Sequence, residues 1–169
     1  ALQDALELSL ANVPALAGNV VVCPDVSGSM HSPVTGYRQG ATTAVRCIDV
    51  AALVAAAVLR KQPAARVMPF ERGVVNIHLN PRDSVMSNAQ KLANIGGGGT
   101  NCSAPLAQLA NAKSRVDTLI LVSDNESWID ARRQGATETM RQWERIRAIN
   151  PQAKLCLLYT SPSPRDLST

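Results

Sequence analysis

Five oxygen-bearing side chains, in three separate stretches, are the residues of this sequence that could do chemistry together. "VVCPDVSGSM" ends an apolar run on Asp25 and at once presents Ser27 and Ser29. "GGGGTNCS" carries Thr100 directly after a glycine run, and "LILVSD" ends a second apolar run on Asp124. Two carboxylates and three neutral hydroxyls offer only oxygen. Hard cations want that donor set, and Mg²⁺ usually keeps several waters when bound. The expected chemistry is therefore retention of a divalent cation, Mg²⁺ above others, by Asp25, Ser27, Ser29, Thr100 and Asp124. Because the hydroxyls are uncharged, such an ion would keep residual positive charge and accept an acidic group from a partner as a further ligand. Gly28 lets the first loop turn tightly, and the glycines before Thr100 let its backbone approach closely.

Other chemistries fit less well. A serine nucleophile needs a partner base. Ser27 lacks the glycines of a G-x-S-x-G elbow, since Asp25 stands where the first belongs, and His31 sits in the loop-like "HSPV". An aspartyl-phosphatase would want a second acid two residues after Asp25, where Ser27 is. The glycine run lacks the lysine that precedes Ser or Thr in a phosphate loop. Taken singly, Ser29 or Thr100 could cap helices and Asp124 could be a turn residue. Five such groups at strand ends favour the cation.

The elements that must position these residues follow from periodicity. "LQDALELSLANV" reads as a short helix stopped by Pro14, and "GNVVVCPD" as a buried strand that tolerates Pro24 only because it ends there. "TTAVRCIDVAALVAAAVLRK" reads as a long helix started by Thr42 or Thr43. "ARVMPFE" and "GVVNIHL" read as a hairpin turning near Arg72 and Gly73. "DSVMSNAQKLANI" is a helix capped by Asp83 or Ser84, and "SAPLAQLANAKS" one with Ser103 as N-cap and Pro105 in its first turn. "DTLILVSD" is a second buried strand. "TETMRQWERIRAI" is an amphipathic helix with Met140, Trp143, Ile146 and Ile149 on one face, and "AKLCLLY" a last strand. The alternation predicts an α/β fold: a doubly wound, mostly parallel sheet with one antiparallel edge strand. Ligands of such sheets bind beyond the carboxyl ends of the strands, where strand order reverses. Asp25 and Asp124 both stand at such ends.

Composition agrees. The 169 residues suit one domain with a sizeable core; 46% are apolar and 18% charged, which excludes a disordered chain. Aromatics are only 3%, so Ala, Val and Leu must fill the core. No apolar run reaches the roughly 20 residues that cross a bilayer, and "ALQDALELSL" lacks the basic start of a signal peptide. A cytoplasmic setting is expected, with no membrane partner. Cys23, Cys47, Cys102 and Cys156 form no CxxC and read as reduced thiols. The net charge of +4 is too mild to identify a partner. A first residue other than Met suggests a fragment. Residues 1–18 read as a lead-in helix and linker and 19–155 as the domain. Residues 156–169 read as a non-native, disordered tail, "CLLYTSPSPRDLST" being similar to translated sequencing-adapter DNA.

The motifs also resemble a known family. Asp-x-Ser-x-Ser after a strand, a glycine loop ending in Thr, and an Asp closing a second strand are the pattern of the metal-ion-dependent adhesion site of von Willebrand factor A domains. "DVSGSM", "GGGGTNCSAPL" and "LVSDNESW" together resemble the von Willebrand A domain of the Ro autoantigen (TROVE) family, bacterial members included. The resemblance implies a Rossmann-like fold, with Ser27 and Ser29 as direct ligands and Asp25, Thr100 and Asp124 binding directly or through water. It implies a non-catalytic module of a ring-shaped protein that binds small noncoding RNA and acts in RNA quality control. Most RNA contacts would lie on an upstream ring of helical repeats. An adaptor in another assembly, recruiting an acidic protein partner, is the alternative. Arg132, Arg133, Arg141, Arg145 and Arg147 form a basic group around one helix; with Trp128 they are candidates for RNA or partner contact, against the plainer reading of a solvated face. Asn125 and Glu126 read as loop surface.

Overall fold

The computed structural model describes residues 2–35, 43–124 and 137–160. Residues Leu2–Ser9 form α1, followed by a single 3₁₀ turn, Leu10–Asn12. Then come β1 (Val20–Pro24), α2 (Cys47–Lys61), β2 (Arg66–Val67), α3 (Val85–Ala93), α4 (Ser103–Asn111), β3 (Thr118–Ser123), α5 (Glu138–Ile149) and β4 (Lys154–Tyr159). The strands lie in the order β2-β1-β3-β4, and every pair is parallel. The α/β architecture is thus the expected one.

The two central strands are apolar on both sides because both of their faces are covered. Val20 and Val22 of β1, with Ile120 and Val122 of β3, pack among α2 and α3. Val21, Cys23, Leu119 and Leu121 point the other way, into a cluster with Leu106, Leu109, Trp143 and Ile146 of α4 and α5. Alanines let α2 lie close: Ala51, Ala52, Ala55 and Ala56 are all buried. Leu10 is buried in the α2/α3 cluster, and Val13 and Leu16 pack against it, so the lead-in segment joins the core. Glu7 reinforces this, accepting from the Val85 N–H at 3.2 Å and pairing with Arg60 at 3.3 Å.

Several local expectations need correcting. The hairpin and its antiparallel edge strand reduce, among the described residues, to one antiparallel bridge, Phe70 to Val74. Proline at 69 supplies no N–H to a ladder, and Val75, Ile77 and Leu79 spend their apolar faces on the α2/α3 core instead. Helix α2 begins at Cys47, not at Thr43, and Thr42 lies outside the described residues. Its start is set by Asp49, whose carboxylate accepts from the Arg46 N–H at 2.9 Å and from the Arg46 guanidinium at 2.7 Å. Ser103 is inside α4, and Asn101 caps it, its Oδ1 accepting from the Ser103 N–H at 3.2 Å and from its hydroxyl at 2.8 Å. On α5 only Trp143 and Ile146 are buried; Met140 and Ile149 sit near the two ends and are exposed. Strand β4 is the last strand expected of "AKLCLLY" and pairs with β3 as far as Tyr159, so the tail read as disordered from residue 156 begins inside a strand, and residues 161–169 lie outside the described residues.

Other expectations match. Ser84 caps α3, accepting from the Ser87 N–H at 3.1 Å. Pro24 closes β1, and its carbonyl accepts from Phe70. No disulfide joins any two of the four cysteines; Cys23 and Cys47 are buried, and burial pushes the Cys23 thiol far up. Among the described residues no helix is long and apolar enough to cross a membrane.

The guanidinium hydrogen bond from Arg46 holds the Asp49 carboxyl below its usual range. Asp49→Ala is expected to cost about 1 kcal/mol at neutral pH, as loss of a cap does. A depressed folded-state pKa stabilises above the unfolded value and ceases to as pH falls through the folded one. The gap between parent and variant in urea unfolding should therefore close below the ordinary aspartate range.

Candidate metal centre

Strand order reverses between β1 and β3. The chain leaves β1 toward α2 on one face, whereas β3 is followed by α5 on the other. The crevice at that reversal is where Asp25 and Asp124 stand, each just past the end of one of two neighbouring strands, with Asp25 level with Ser123. Both are buried, as are Ser27 and Thr100.

After Asp25 the loop is fixed by two apolar anchors, Val26 and Met30, both in the α2/α3 core. Between them the chain folds back on Asp25: the Ser27 N–H donates to Asp25 Oδ1 at 2.9 Å, an Asx turn. A 3₁₀ turn, Gly28–His31, follows. Gly28 is exposed and Ser29 half-buried, so the loop opens to solvent on that side. The glycine run comes in from the other side. Gly96 has φ +124°, and a Cβ there would overlap the Val26 carbonyl, so only glycine fits. The Gly98 carbonyl accepts from the Gly28 N–H at 2.9 Å.

This packing brings the three hydroxyls together. Thr100 Oγ1 donates to Ser27 Oγ at 2.8 Å, and Ser27 Oγ lies 3.3 Å from Ser29 Oγ. Ser27 Oγ thus lies against two hydroxyls, next to the Asp25 carboxylate. Asp25 Oδ2 accepts from the Ser123 hydroxyl at 2.8 Å. Burial pushes the Asp25 carboxyl above its ordinary range; hydrogen bonds from Ser27 and Ser123 pull it down, and the Asp124 charge pushes it up again.

The donor set suits a small divalent cation. Adjacent oxygens around an octahedral ion with bonds of 2.0–2.1 Å lie about 3 Å apart, and the two hydroxyl contacts bracket that spacing. A desolvated carboxylate beside a second acid is also a place where a cation offsets the electrostatic cost. Among the described residues no three His, Cys, Asp or Glu side chains gather, so the arrangement offers nothing to a thiolate- or imidazole-seeking metal.

Two participants were missed in the sequence. Ser123 precedes Asp124 in "LVSD", and the alternation of a strand gave no reason to turn it toward Asp25. Glu71, read as the last residue of the strand "ARVMPFE", accepts from the Gly98 N–H at 2.8 Å.

The basic group is differently placed. Arg141 and Arg147 each lie 3.6 Å from a glutamate on α5, Glu138 and Glu144. Arg145 donates to Gln142 and to Asn111 of α4. These are the contacts of a solvated helix face. Trp128, Arg132 and Arg133, with Asn125 and Glu126, lie outside the described residues.

A family model described as the Ro60 vWA domain matches residues 19–161. The chain belongs to the Ro60 vWA domain family. Among relatives of this Ro60 vWA domain, the RNA-binding protein RO60 of Deinococcus radiodurans is 32% identical over 128 residues, which is 76% of this chain and 23% of that protein. The crystal structure of the Deinococcus radiodurans Ro (Rsr) protein matches with a TM-score of 0.71 at 25% identity, over 92% of this chain and 30% of that one. The chain therefore spans less than a third of the length of either relative. The von Willebrand A resemblance carried by "DVSGSM" and the glycine loop is thereby shown at the level of family and fold.

Proposed function

We propose that this Ro60 vWA domain is a non-catalytic, divalent-cation-binding module of an RNA-binding protein. The observation that carries the reading is the contact of Ser27, Ser29 and Thr100 through their hydroxyls beside two buried acids, Asp25 and Asp124. These five residues would hold the ion, Mg²⁺ by its preference for oxygen. When bound, it supplies a positive charge able to take a partner's acidic oxygen, approaching from the open side at Gly28 and Ser29. Binding of small noncoding RNA in RNA quality control belongs to the whole protein. Support for an RNA partner comes from the Deinococcus radiodurans relative, an RNA-binding protein. The setting would be cytoplasmic.

The test separates the two activities. Equilibrium dialysis of the metal-free domain against Mn²⁺, a spectroscopically visible substitute, should give one ion per chain. Absence of uptake would remove the reading. The same domain should bind labelled single-stranded RNA no more tightly than about 10⁻⁶ M at physiological salt, the range of non-specific electrostatic binding, because Arg141, Arg145 and Arg147 already face partners of their own. Nanomolar RNA binding in a fluorescence anisotropy titration would relocate the RNA site onto this domain.

A further inference from the structure

We propose that Glu71 is a positioning residue that clamps the Thr100 loop onto the Ser27–Ser29 loop. Phe70 runs beside the end of β1, bridging to Asp25 and accepting from the Val26 N–H at 2.8 Å. The next residue, Glu71, therefore stands at the rim of the crevice. Its carboxylate accepts from the Gly98 N–H at 2.8 Å, and its backbone carbonyl accepts from the Asn101 N–H at 2.8 Å. One residue thus grips the glycine loop on both sides of Thr100. Gly98 passes the constraint on, because its own carbonyl receives the Gly28 N–H, between Ser27 and Ser29. A Cβ on Gly98 would meet the Glu71 carboxylate and push it off the Gly98 N–H, so glycine lets the two stay in contact. Glu71 thereby fixes Thr100 Oγ1 against Ser27 Oγ without joining the donor set.

The effect on cation affinity rests on the proposed function; the clamp itself does not. Glu71→Ala removes the side-chain acceptor, whereas the Glu71→Gln amide oxygen still accepts the Gly98 N–H and only the charge is lost. For the metal-free proteins, hydrogen exchange at the Gly98 amide is read by NMR. For the same proteins, Mn²⁺ affinity is read by titration. Glu71→Ala should speed Gly98 exchange and weaken Mn²⁺ at least ten-fold, the usual cost of losing a partner that orients ligands. Glu71→Gln should stay close to the parent in both. Unchanged Gly98 exchange in Glu71→Ala overturns the clamp. Unchanged Mn²⁺ affinity in Glu71→Ala, or an equal loss in Glu71→Gln, overturns the positioning role, the latter pointing to charge alone. If the parent takes up no Mn²⁺, the cation reading fails by itself, and Gly98 exchange decides the clamp.

Discussion

Ser27→Ala should leave a folded domain whose melting temperature no longer responds to Mg²⁺. In the parent, an ion that binds the native state only and is present at a hundred times its dissociation constant adds about 2.7 kcal/mol of stability. Ser27 is the hub of the hydroxyl group: fully buried, it receives the Thr100 hydroxyl and touches that of Ser29. Alanine there deletes one donor and leaves the other two without their shared neighbour. The metal-free variant should lose only about 1 kcal/mol, the usual net worth of a hydrogen bond. The measurement is a thermal melt of both proteins with Mg²⁺ and with EDTA. Equal Mg²⁺-induced gains in parent and variant would disprove a role for Ser27 in holding the ion.

Phe70→Ala should do the reverse, damaging the fold first. Phe70 is the single phenylalanine of the sequence and is fully buried among Val21, Cys23, Leu106, Leu121 and Trp143. Truncations of this kind cost about 3–5 kcal/mol, against a total of about 5–15 kcal/mol for a whole domain. Urea unfolding followed by circular dichroism should show the midpoint falling steeply at unchanged slope. A loss below about 1 kcal/mol would mean that Phe70 is not packed as described. The two variants thus separate holding the ion from holding the sheet.

Much of this was legible in the residues. Runs such as Val20–Pro24 and Thr118–Ser123 announce strands buried on both faces, and strand ends in parallel sheets collect functional groups. Asp25 and Asp124 could therefore be placed on one rim, and the oxygen-only side chains of Ser27, Ser29 and Thr100 completed the expected donor set. What escaped was set by contacts distant in sequence. "GVVNIHL" has the composition of a strand, yet its Val75, Ile77 and Leu79 are taken up by the α2/α3 core and Val74 by the α4/α5 side. Asn101 displaced Ser103 as a cap through one favourable side-chain geometry. Ser123 and Glu71 became visible only once β1, β3 and the glycine loop were side by side, because nothing local distinguishes them from ordinary strand-end residues.

The pairing of β1 with β3 across some hundred intervening residues also bears on when the crevice comes into being. A ribosome delivers Asp25, Ser27 and Ser29 early, Thr100 much later and Asp124 last. A nascent chain thus carries its first three oxygens as scattered, solvated groups until the final one has emerged and docked. Cation capture would then mark the docking of β3 beside β1, with β4 still to be added.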